Sequence, residues 1–154
     1  ASNDQYEKIL KYIKIGKEEG CEVLTGGEAA YVDELSGGYY IQPTVLKGNN
    51  KMRVFQEEIF GPVVAIMPYK TEEEAIGIAN DTVYGLSGYV QGEPAHANKV
   101  AAQIRAGQIH VNGAGPDLNA PFGGYKQSGN GREWGPLGFE EFLETKAVLG
   151  ANAA

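Results

Sequence analysis

The sequence predicts an α/β fold in which a mainly parallel sheet is flanked by helices. Two observations support this fold class: apolar residues recur at helical spacing in several segments, and short branched or aromatic runs of strand length lie between those segments. Strands that alternate with helices through short connections favour right-handed crossovers and parallel pairing. Binding sites are then expected at the strand ends.

The first predicted helix covers residues 4–19. One apolar face of this helix is formed by Tyr6, Ile9, Leu10 and Ile13. These residues have the spacing i, i+3, i+4 and i+7, and Gly20 is placed to end the helix in a left-handed C-cap. A short strand over residues 22–24 follows and leads into a glycine turn.

The middle of the chain is predicted to contain a surface loop over 28–38 and a strand over 39–46. Pro43 fits an edge position or a strand end, because proline cannot donate a ladder hydrogen bond. The short apolar run 63–69 is typical of a strand that is buried on both faces, as in parallel sheets.

Two further helices are predicted, separated by a strand over 86–90. Thr71 and Glu74 have the spacing of a capping box, which begins the first of them. Its inner positions are expected to be Ala75, Ile76 and Ala79. Pro94 suits the first turn of the second helix, which Gly107 closes. Its helical spacing is set by Ala97, Val100, Ala101 and Ile104.

The last third of the chain begins with a predicted strand over 109–111. Residues 113–135 are rich in glycine and show no periodicity, which predicts a long loop, and loops of this length are usually functional. A short helix is marked beyond it by Phe139, Phe142 and Leu143. Residues 145–149 are predicted to form a terminal strand with one open edge, of the kind used in oligomers.

Composition limits the classes of function. The chain has 154 residues, which suits a single domain over 1–154, and its net charge of -7 argues against nucleic acid as a partner. No apolar stretch has the length of a membrane span, so we expect no membrane association. Cys21 is the only cysteine, which excludes an intrachain disulfide and suits a cytoplasmic protein.

The glycine-rich stretch around Lys126 does not match a phosphate-binding loop. Such a loop needs a lysine directly after the second of two glycines separated by four residues, whereas Asn130 follows Gly129. Ser87 and Ser128 lack the glycines that flank a nucleophilic serine on both sides. We therefore interpret these glycines as structural turns.

Other polar residues do not by themselves indicate a site. Cys21 follows a helix C-terminus, where the helix dipole disfavours a thiolate, so an inert thiol is predicted. His96 and His110 have no acidic or cysteine partner at metal-ligand spacing, and His110 is interpreted as a strand residue. Glu57 and Glu58 are adjacent, and taken alone they indicate a solvated surface.

Two longer motifs carry more information. Residues 56–63, QEEIFGPV, resemble a motif of NAD(P)-dependent aldehyde dehydrogenases, and residues 120–133, APFGGYKQSGNGRE, resemble the second C-terminal signature of that family. The likeness covers nearly all of residues 4–149. It implies the C-terminal part of the catalytic domain, with the catalytic cysteine, the glutamate base and most of the coenzyme domain upstream. No catalytic residue is therefore expected in this chain, and Cys21 does not match the catalytic position.

The resemblance also implies roles for individual residues. Glu58 corresponds to the glutamate that hydrogen-bonds the ribose on the nicotinamide side of NAD or NADP. Phe60 corresponds to an aromatic residue near the nicotinamide ring, and Phe122 to a residue that lines the aldehyde tunnel. Core packing is the alternative for both phenylalanines. The residues that distinguish NAD from NADP lie upstream in the family.

Weaker matches concern the surroundings of the site. Glu133 corresponds to a glutamate in a polar network near the active site, and Arg132 and Glu144 correspond to residues near subunit contacts. Residues 112–119 occupy the region that varies most with substrate in the family, so the aldehyde is not identified.

Two functions are therefore expected. The first is the C-terminal portion of a homo-oligomeric enzyme that oxidises an aldehyde to a carboxylic acid, a portion that is inactive alone. The alternative is a non-catalytic interaction module that keeps the fold and pairs through residues 145–149 or the Phe139 helix face.

Overall fold

A computed structural model describes residues 2–33 and 37–150, which group into two units, Ala1–Asp81 and Thr82–Ala154. Part of the predicted loop 28–38 lies outside the described residues. None of the described helices has the length and apolar character needed to cross a membrane. The prediction of a single domain stays a prediction.

Helix α1 spans Asn3–Glu18, which confirms the predicted helix over 4–19. It begins after Ser2, whose hydroxyl accepts a hydrogen bond from the Gln5 N–H at 3.2 Å, as expected of an N-cap. It ends at Glu18 with Glu19 as its C-cap residue, and Gly20 follows with the left-handed φ of +93° that a glycine adopts without strain after a helix.

The first unit contains a three-stranded sheet with the order β1-β2-β3. These strands span Glu22–Thr25, Thr44–Lys47 and Val63–Ile66. The first pair is antiparallel and the second pair is parallel. The strand predicted over 39–46 begins later in the sequence than predicted, at Thr44. Pro43 lies directly before it, at the strand end where proline was expected.

The core of this unit lies between α1, β2 and the short helix α2, Arg53–Gln56. Its buried residues are Ile9, Ile13, Cys21, Leu46, Val54 and Ile59. Leu46 has no exposed surface, and a Cβ built on Gly16 would lie 2.9 Å from its Cδ1 atom. The glycine therefore allows α1 to approach the sheet closely.

The prediction that residues 63–69 form a strand buried on both faces is wrong. The strand is limited to Val63–Ile66, and Val64 and Ile66 are 56% and 41% exposed. Val63 packs against the core, so exposure alternates along the strand. The reason is that β3 lies at one side of its sheet and only one of its faces is covered within this unit.

Helix α3, Glu72–Asn80, follows the predicted capping box. The Thr71 hydroxyl accepts from the Glu74 N–H at 3.2 Å, and the Glu74 carboxylate accepts from the Lys70 N–H at 2.7 Å. Ala75 and Ile76 are half-buried as predicted, whereas Ala79 is exposed and Ile78 is half-buried. The covered stripe follows a spacing of three residues from Ala75 instead of four, so the prediction for Ala79 is wrong.

The second unit contains two parallel strands, β4 (Ser87–Val90) and β5 (Gln108–Val111), joined by helix α4 (Pro94–Ala101). The predicted strands and helix are confirmed, with Pro94 in the first turn, but the helix ends at Ala101, so Ile104 and the expected stop at Gly107 lie beyond it. Ala97, 1% exposed, lies on the buried side of α4. Since two of the three pairings between strands in the described residues are parallel, the α/β class with mainly parallel pairing is confirmed, although the strands form two sheets.

The long loop after β5 is largely irregular, as predicted, with one 3-10 turn at Lys126–Ser128. Helix α5, Gly135–Glu140, ends before two of the residues that marked the predicted helix. Residues 145–149 form no strand with any described part of this chain. A strand needs a partner, and its use in an oligomer stays a prediction.

An ion pair at α2, between Arg53 and Glu57, is linked to α1 by a hydrogen bond from Tyr12. Arg53 donates two hydrogen bonds to the Glu57 carboxylate, at 2.8 and 2.9 Å, and the Tyr12 hydroxyl donates a third at 2.6 Å. These donors, Arg53 first, lower the pKa of Glu57 from 4.5 to about 2. The same carboxylate raises the pKa of Tyr12.

Substituting Leu46→Ala should lower the free energy of unfolding by about 2–5 kcal/mol, because it leaves a cavity beneath α1. Chemical denaturation of the purified chain measures this effect. Leu24→Ala is the matched control, since Leu24 is 46% exposed on β1 and its loss should cost less than about 1 kcal/mol. Equal effects of the two substitutions would contradict the assigned core.

The Glu57 ion pair should make stability depend on acid pH. The pKa of Glu57 is lower in the folded chain than in the unfolded chain, so its contribution is complete above pH 4.5 and is lost as pH falls toward 2. Glu57→Gln should remove this loss, as measured by unfolding at pH 7 and pH 3. The effect is small because the two side chains are 49% and 38% exposed, and an unchanged pH dependence would contradict it.

Candidate active site

The first candidate segment connects α2 to β3. Ile59 is buried in the core, whereas its neighbours Glu58 and Phe60 are exposed, Phe60 by 67%. No described residue donates a hydrogen bond to the Glu58 carboxylate. The adjacent Glu57 differs, since its carboxylate is held by Arg53. The two glutamates therefore have different surroundings, and only the carboxylate of Glu58 is available to a ligand.

The main chain of this segment is held in an uncommon conformation. Phe60 has a φ of +56°, in the left-handed region that few residues other than glycine adopt. Gly61 follows, and a Cβ there would lie 2.7 Å from Ile9 Cγ1. The segment thus turns sharply against α1, and non-glycine outliers of this kind are concentrated at functional sites.

The second candidate segment lies in the long loop of the second unit. Phe122 and Glu133 form an antiparallel bridge in which each N–H donates to the other carbonyl at 2.7 Å. The half-buried Phe122 ring packs against Trp134, with ring centroids 4.8 Å apart, and the Glu133 side chain is exposed. The bridge brings the two ends of the signature motif together.

A shallow depression of about 410 Å³ opens beside this bridge. It is lined by glycine-rich backbone and by six larger side chains, those of Leu86, Phe122, Arg132, Glu133, Glu141 and Phe142. An apolar wall with a few charged groups at its rim is a common form of small-molecule site. The residues predicted from the signature motif therefore share one surface of the second unit.

Arg132 has a role within the chain that the sequence did not reveal. Its guanidinium donates to the carbonyls of Gly124 and Gly131 at 3.0 and 2.7 Å and lies 5.5 Å from the Tyr125 ring. Arg132 therefore stabilises the loop that carries the signature motif. Glu144 is exposed, and subunit contacts for both residues stay a prediction.

Lys126 and Ser128 serve the same loop. The Lys126 ammonium donates to the Thr82 carbonyl at 2.8 Å, and the Ser128 hydroxyl accepts from the Gly85 N–H at 3.0 Å. Each side chain anchors the 3-10 turn to the segment before β4. This geometry supports the interpretation of the glycine-rich stretch as structural turns.

Asn112 is a further residue that sequence analysis did not single out. It has a φ of +51°, and its side-chain amide both donates to and accepts from the Gly92 main chain, at 2.9 Å each. The side chain therefore continues the pairing of β4 with β5 by one residue beyond the strands. An asparagine followed by a glycine at a strand end is the sequence signal for such a conformation.

Cys21 lies in the core of the first unit, with its sulfur 3.3 Å from the Met52 sulfur. Burial first, and the charge of Glu19 second, raise the pKa of the Cys21 thiol. A raised thiol pKa disfavours the thiolate that a nucleophile needs, which supports the prediction of an inert residue.

The histidines occupy ordinary structural positions. His110 lies in β5, stacks on Tyr89 with ring centroids 4.8 Å apart, and places Nδ1 2.8 Å from the Ala114 carbonyl oxygen. His96 lies in α4. Residues 2–33 and 37–150 contain no group of three or more His, Cys, Asp or Glu side chains arranged to hold a metal ion.

Comparison with known proteins shows which family contains both candidate segments. A model of the aldehyde dehydrogenase family matches residues 1–148. The chain is 57% identical over 152 residues to a 3-succinoylsemialdehyde-pyridine dehydrogenase of a Pseudomonas species, covering 97% of this chain and 32% of the relative. It is 53% identical over 153 residues to an aldehyde dehydrogenase of Paracoccus denitrificans, covering 97% and 30%.

Solved structures agree with these relatives. Aldehyde dehydrogenase C of Pseudomonas syringae, in complex with NAD+ and octanal, matches with a TM-score of 0.92 and 47% identity over 100% of this chain and 32% of that one. A Mycobacterium tuberculosis aldehyde dehydrogenase in complex with NAD+ gives 0.89 and 46%, over 99% and 32%. The chain spans about a third of the length of the relatives that it matches. With a family match over nearly its whole length, this chain belongs to the aldehyde dehydrogenase family.

Proposed function

We propose that this chain is the C-terminal portion of an NAD(P)-dependent aldehyde dehydrogenase that oxidises an aldehyde to a carboxylic acid. The observation that carries the proposal is the pair formed by Glu58 and Phe60, both exposed on either side of the buried Ile59 within the family motif. The NAD+ complexes of similar proteins support it. The match covers only 32% of a relative's length, which supports the view that the enzyme contains a further stretch of polypeptide beside these residues.

The two side chains fit a nicotinamide nucleoside. A carboxylate with two free oxygens can accept hydrogen bonds from both ribose hydroxyls, and Glu58 offers such a carboxylate. The exposed ring of Phe60, two residues away, can pack against a flat heterocycle. The coenzyme supplies hydride acceptance when it is bound.

In the reaction, this chain binds and orients the coenzyme. Glu58 fixes the ribose, and Phe60 restricts the ring beside it, which together favour the pose that hydride transfer requires. Ile59, which lies between Glu58 and Phe60 in the sequence, is part of the core. It therefore holds these two residues in fixed positions.

The second unit contributes to the aldehyde site. Phe122 supplies an apolar wall for the tunnel, and its bridge to Glu133 places a carboxylate beside that wall. Glu133 then belongs to the polar network near the reacting groups. Arg132 and Glu144 contribute to contacts between subunits of a homo-oligomer.

The nucleophile must come from outside this chain. Aldehyde oxidation in this family requires a thiolate that attacks the carbonyl carbon, and Cys21 is buried against Met52 with a raised pKa. The chain is therefore inactive alone.

A second candidate function is a non-catalytic interaction module. It is favoured by the apolar exposure near the C-terminus, where Phe139 and Leu149 are 63% and 91% exposed. Such a module would pair through residues 145–149 without binding coenzyme. A gene that encodes an upstream cysteine motif would decide for the enzyme.

In the full-length enzyme, Glu58→Gln should weaken NAD+ binding or slow hydride transfer roughly tenfold, because a neutral amide loses the charge-assisted hydrogen bonds to the ribose. Titration of coenzyme and single-turnover kinetics measure the change. Glu18→Gln, at an exposed residue of α1 that forms a surface ion pair with Lys14, is the control and should leave both constants unaltered. Normal kinetics for Glu58→Gln would remove this residue from the site.

The purified 154-residue chain, mixed with NAD+ and an aldehyde, should form no NADH above background. Fluorescence of the reduced coenzyme measures this, with the full-length enzyme as the positive control. Turnover that disappears on Cys21→Ser would show that Cys21 is the nucleophile. The proposal that the nucleophile lies outside this chain would then be incorrect.

A further inference from the structure

The main chain of Trp134 adopts a conformation that tryptophan rarely takes. Its φ and ψ are +65° and 155°. This region of backbone space is occupied almost only by glycine, because a Cβ there comes too close to the neighbouring main chain. The next residue, Gly135, also has a positive φ, of +59°. The single tryptophan of the chain therefore lies at a position where the turn itself favours glycine.

Contacts before and after Trp134 impose this conformation. On one side, Glu133 is fixed by its bridge to Phe122, through two backbone hydrogen bonds of 2.7 Å. On the other side, the main chain of Gly135 lies so close to Asn119 that a Cβ built on the glycine would overlap the Asn119 carbonyl oxygen. The turn cannot relax in either direction, so the strain remains at Trp134.

The Trp134 ring packs against the ring of Phe122. The two centroids are 4.8 Å apart and the ring planes are inclined by 33°, which is within the range of favourable aromatic pairs. Of these two described rings, Phe122 lines the depression beside the bridge and Trp134 does not. Trp134 therefore supports the apolar wall without forming part of its surface.

Phe122 needs such support because of its neighbours in sequence. Gly123 and Gly124 follow it, and neither has a side chain that could restrict the ring. A phenylalanine without close neighbours can change between its staggered rotamers. Contact with a large, rigid indole favours one of these rotamers and so fixes the shape of the wall.

We infer that Trp134 is a positioning residue for the aldehyde site: its ring holds Phe122 in the orientation in which Phe122 forms the apolar wall, and this determines how well the apolar tail of an aldehyde packs there. The inference rests on the role proposed for Phe122 above. Trp134 acts through Phe122, and its strained main chain fits this role, because strain of this kind is concentrated at functional sites.

The test uses the full-length enzyme with two probe aldehydes, hexanal and acetaldehyde. Trp134→Ala should raise the KM for hexanal roughly threefold to tenfold, the range for the loss of one aromatic contact, with a smaller effect on kcat. The KM for acetaldehyde should change little, since a single methyl group buries little apolar surface against the wall. The Kd for NAD+ should not change, which also verifies that the variant is folded.

Two further substitutions separate the ring from the main chain. Trp134→Gly also removes the ring but relieves the strain, so it should raise the KM for hexanal as much as Trp134→Ala does and should melt at a higher temperature than that variant. Trp134→Phe keeps an aromatic ring and should restore most of the affinity. Leu137→Ala, at a position of α5 that is 52% exposed, is the matched control and should leave both KM values unaltered.

A double variant tests whether Trp134 acts through Phe122. Adding Trp134→Ala to Phe122→Ala should raise the KM for hexanal no further than Phe122→Ala alone, because the wall is already lost. Independent, multiplicative effects would overturn the inference. A KM that follows the melting temperature, with Trp134→Gly close to the unsubstituted enzyme, would show that Trp134 is only structural.

The outcomes distinguish this inference from the proposed function. If Phe122→Ala raises the KM for hexanal but Trp134→Ala and Trp134→Gly do not, the positioning role is overturned and the role of Phe122 stands. If Phe122→Ala changes the KM for neither aldehyde, or if the unsubstituted enzyme does not prefer hexanal to acetaldehyde in kcat/KM, both are overturned.

Discussion

The burial of one face of α1 against β2 is the constraint on which the first unit depends. Ile13 and Leu46, 2% and 0% exposed, meet where Gly16 lets the helix approach the sheet. Ile59 joins the same core, so the segment that carries the exposed glutamate and phenylalanine is an extension of that packing. The same apolar contacts therefore determine both the geometry of the candidate site and the stability of this unit.

Local signals in the sequence were sufficient for most elements of the fold. Apolar spacing and a glycine stop located α1, and Thr71 with Glu74 located the start of α3. Predictions failed where a distant neighbour decides the outcome. Exposure along β3 depends on what covers its second face, and whether residues 145–149 form a strand, which stays a prediction, depends on a partner. Neither is a property of the residues themselves.

The candidate site could be predicted in part, and only through resemblance to a family. Composition and spacing alone left Glu58 as a solvated glutamate, which is how it lies in the isolated chain. The supporting contacts of Arg132 were not predicted, because its guanidinium donates to carbonyls whose orientation is set by the fold. A donor of this kind has no characteristic spacing from its acceptor in sequence.

The reciprocal amide contact of Asn112 with Gly92 has a consequence for the loop that follows it. It closes the end of the β4 and β5 pair with a hydrogen bond in each direction, at the residue where the irregular loop begins. Beyond it, Ala114 contacts β5 through its N–H, which donates to the Val111 carbonyl at 3.1 Å, and through its carbonyl oxygen, which lies 2.8 Å from His110 Nδ1. The register of the two strands is therefore set before the loop, and a change of sequence after Ala114 can alter the loop without altering that register.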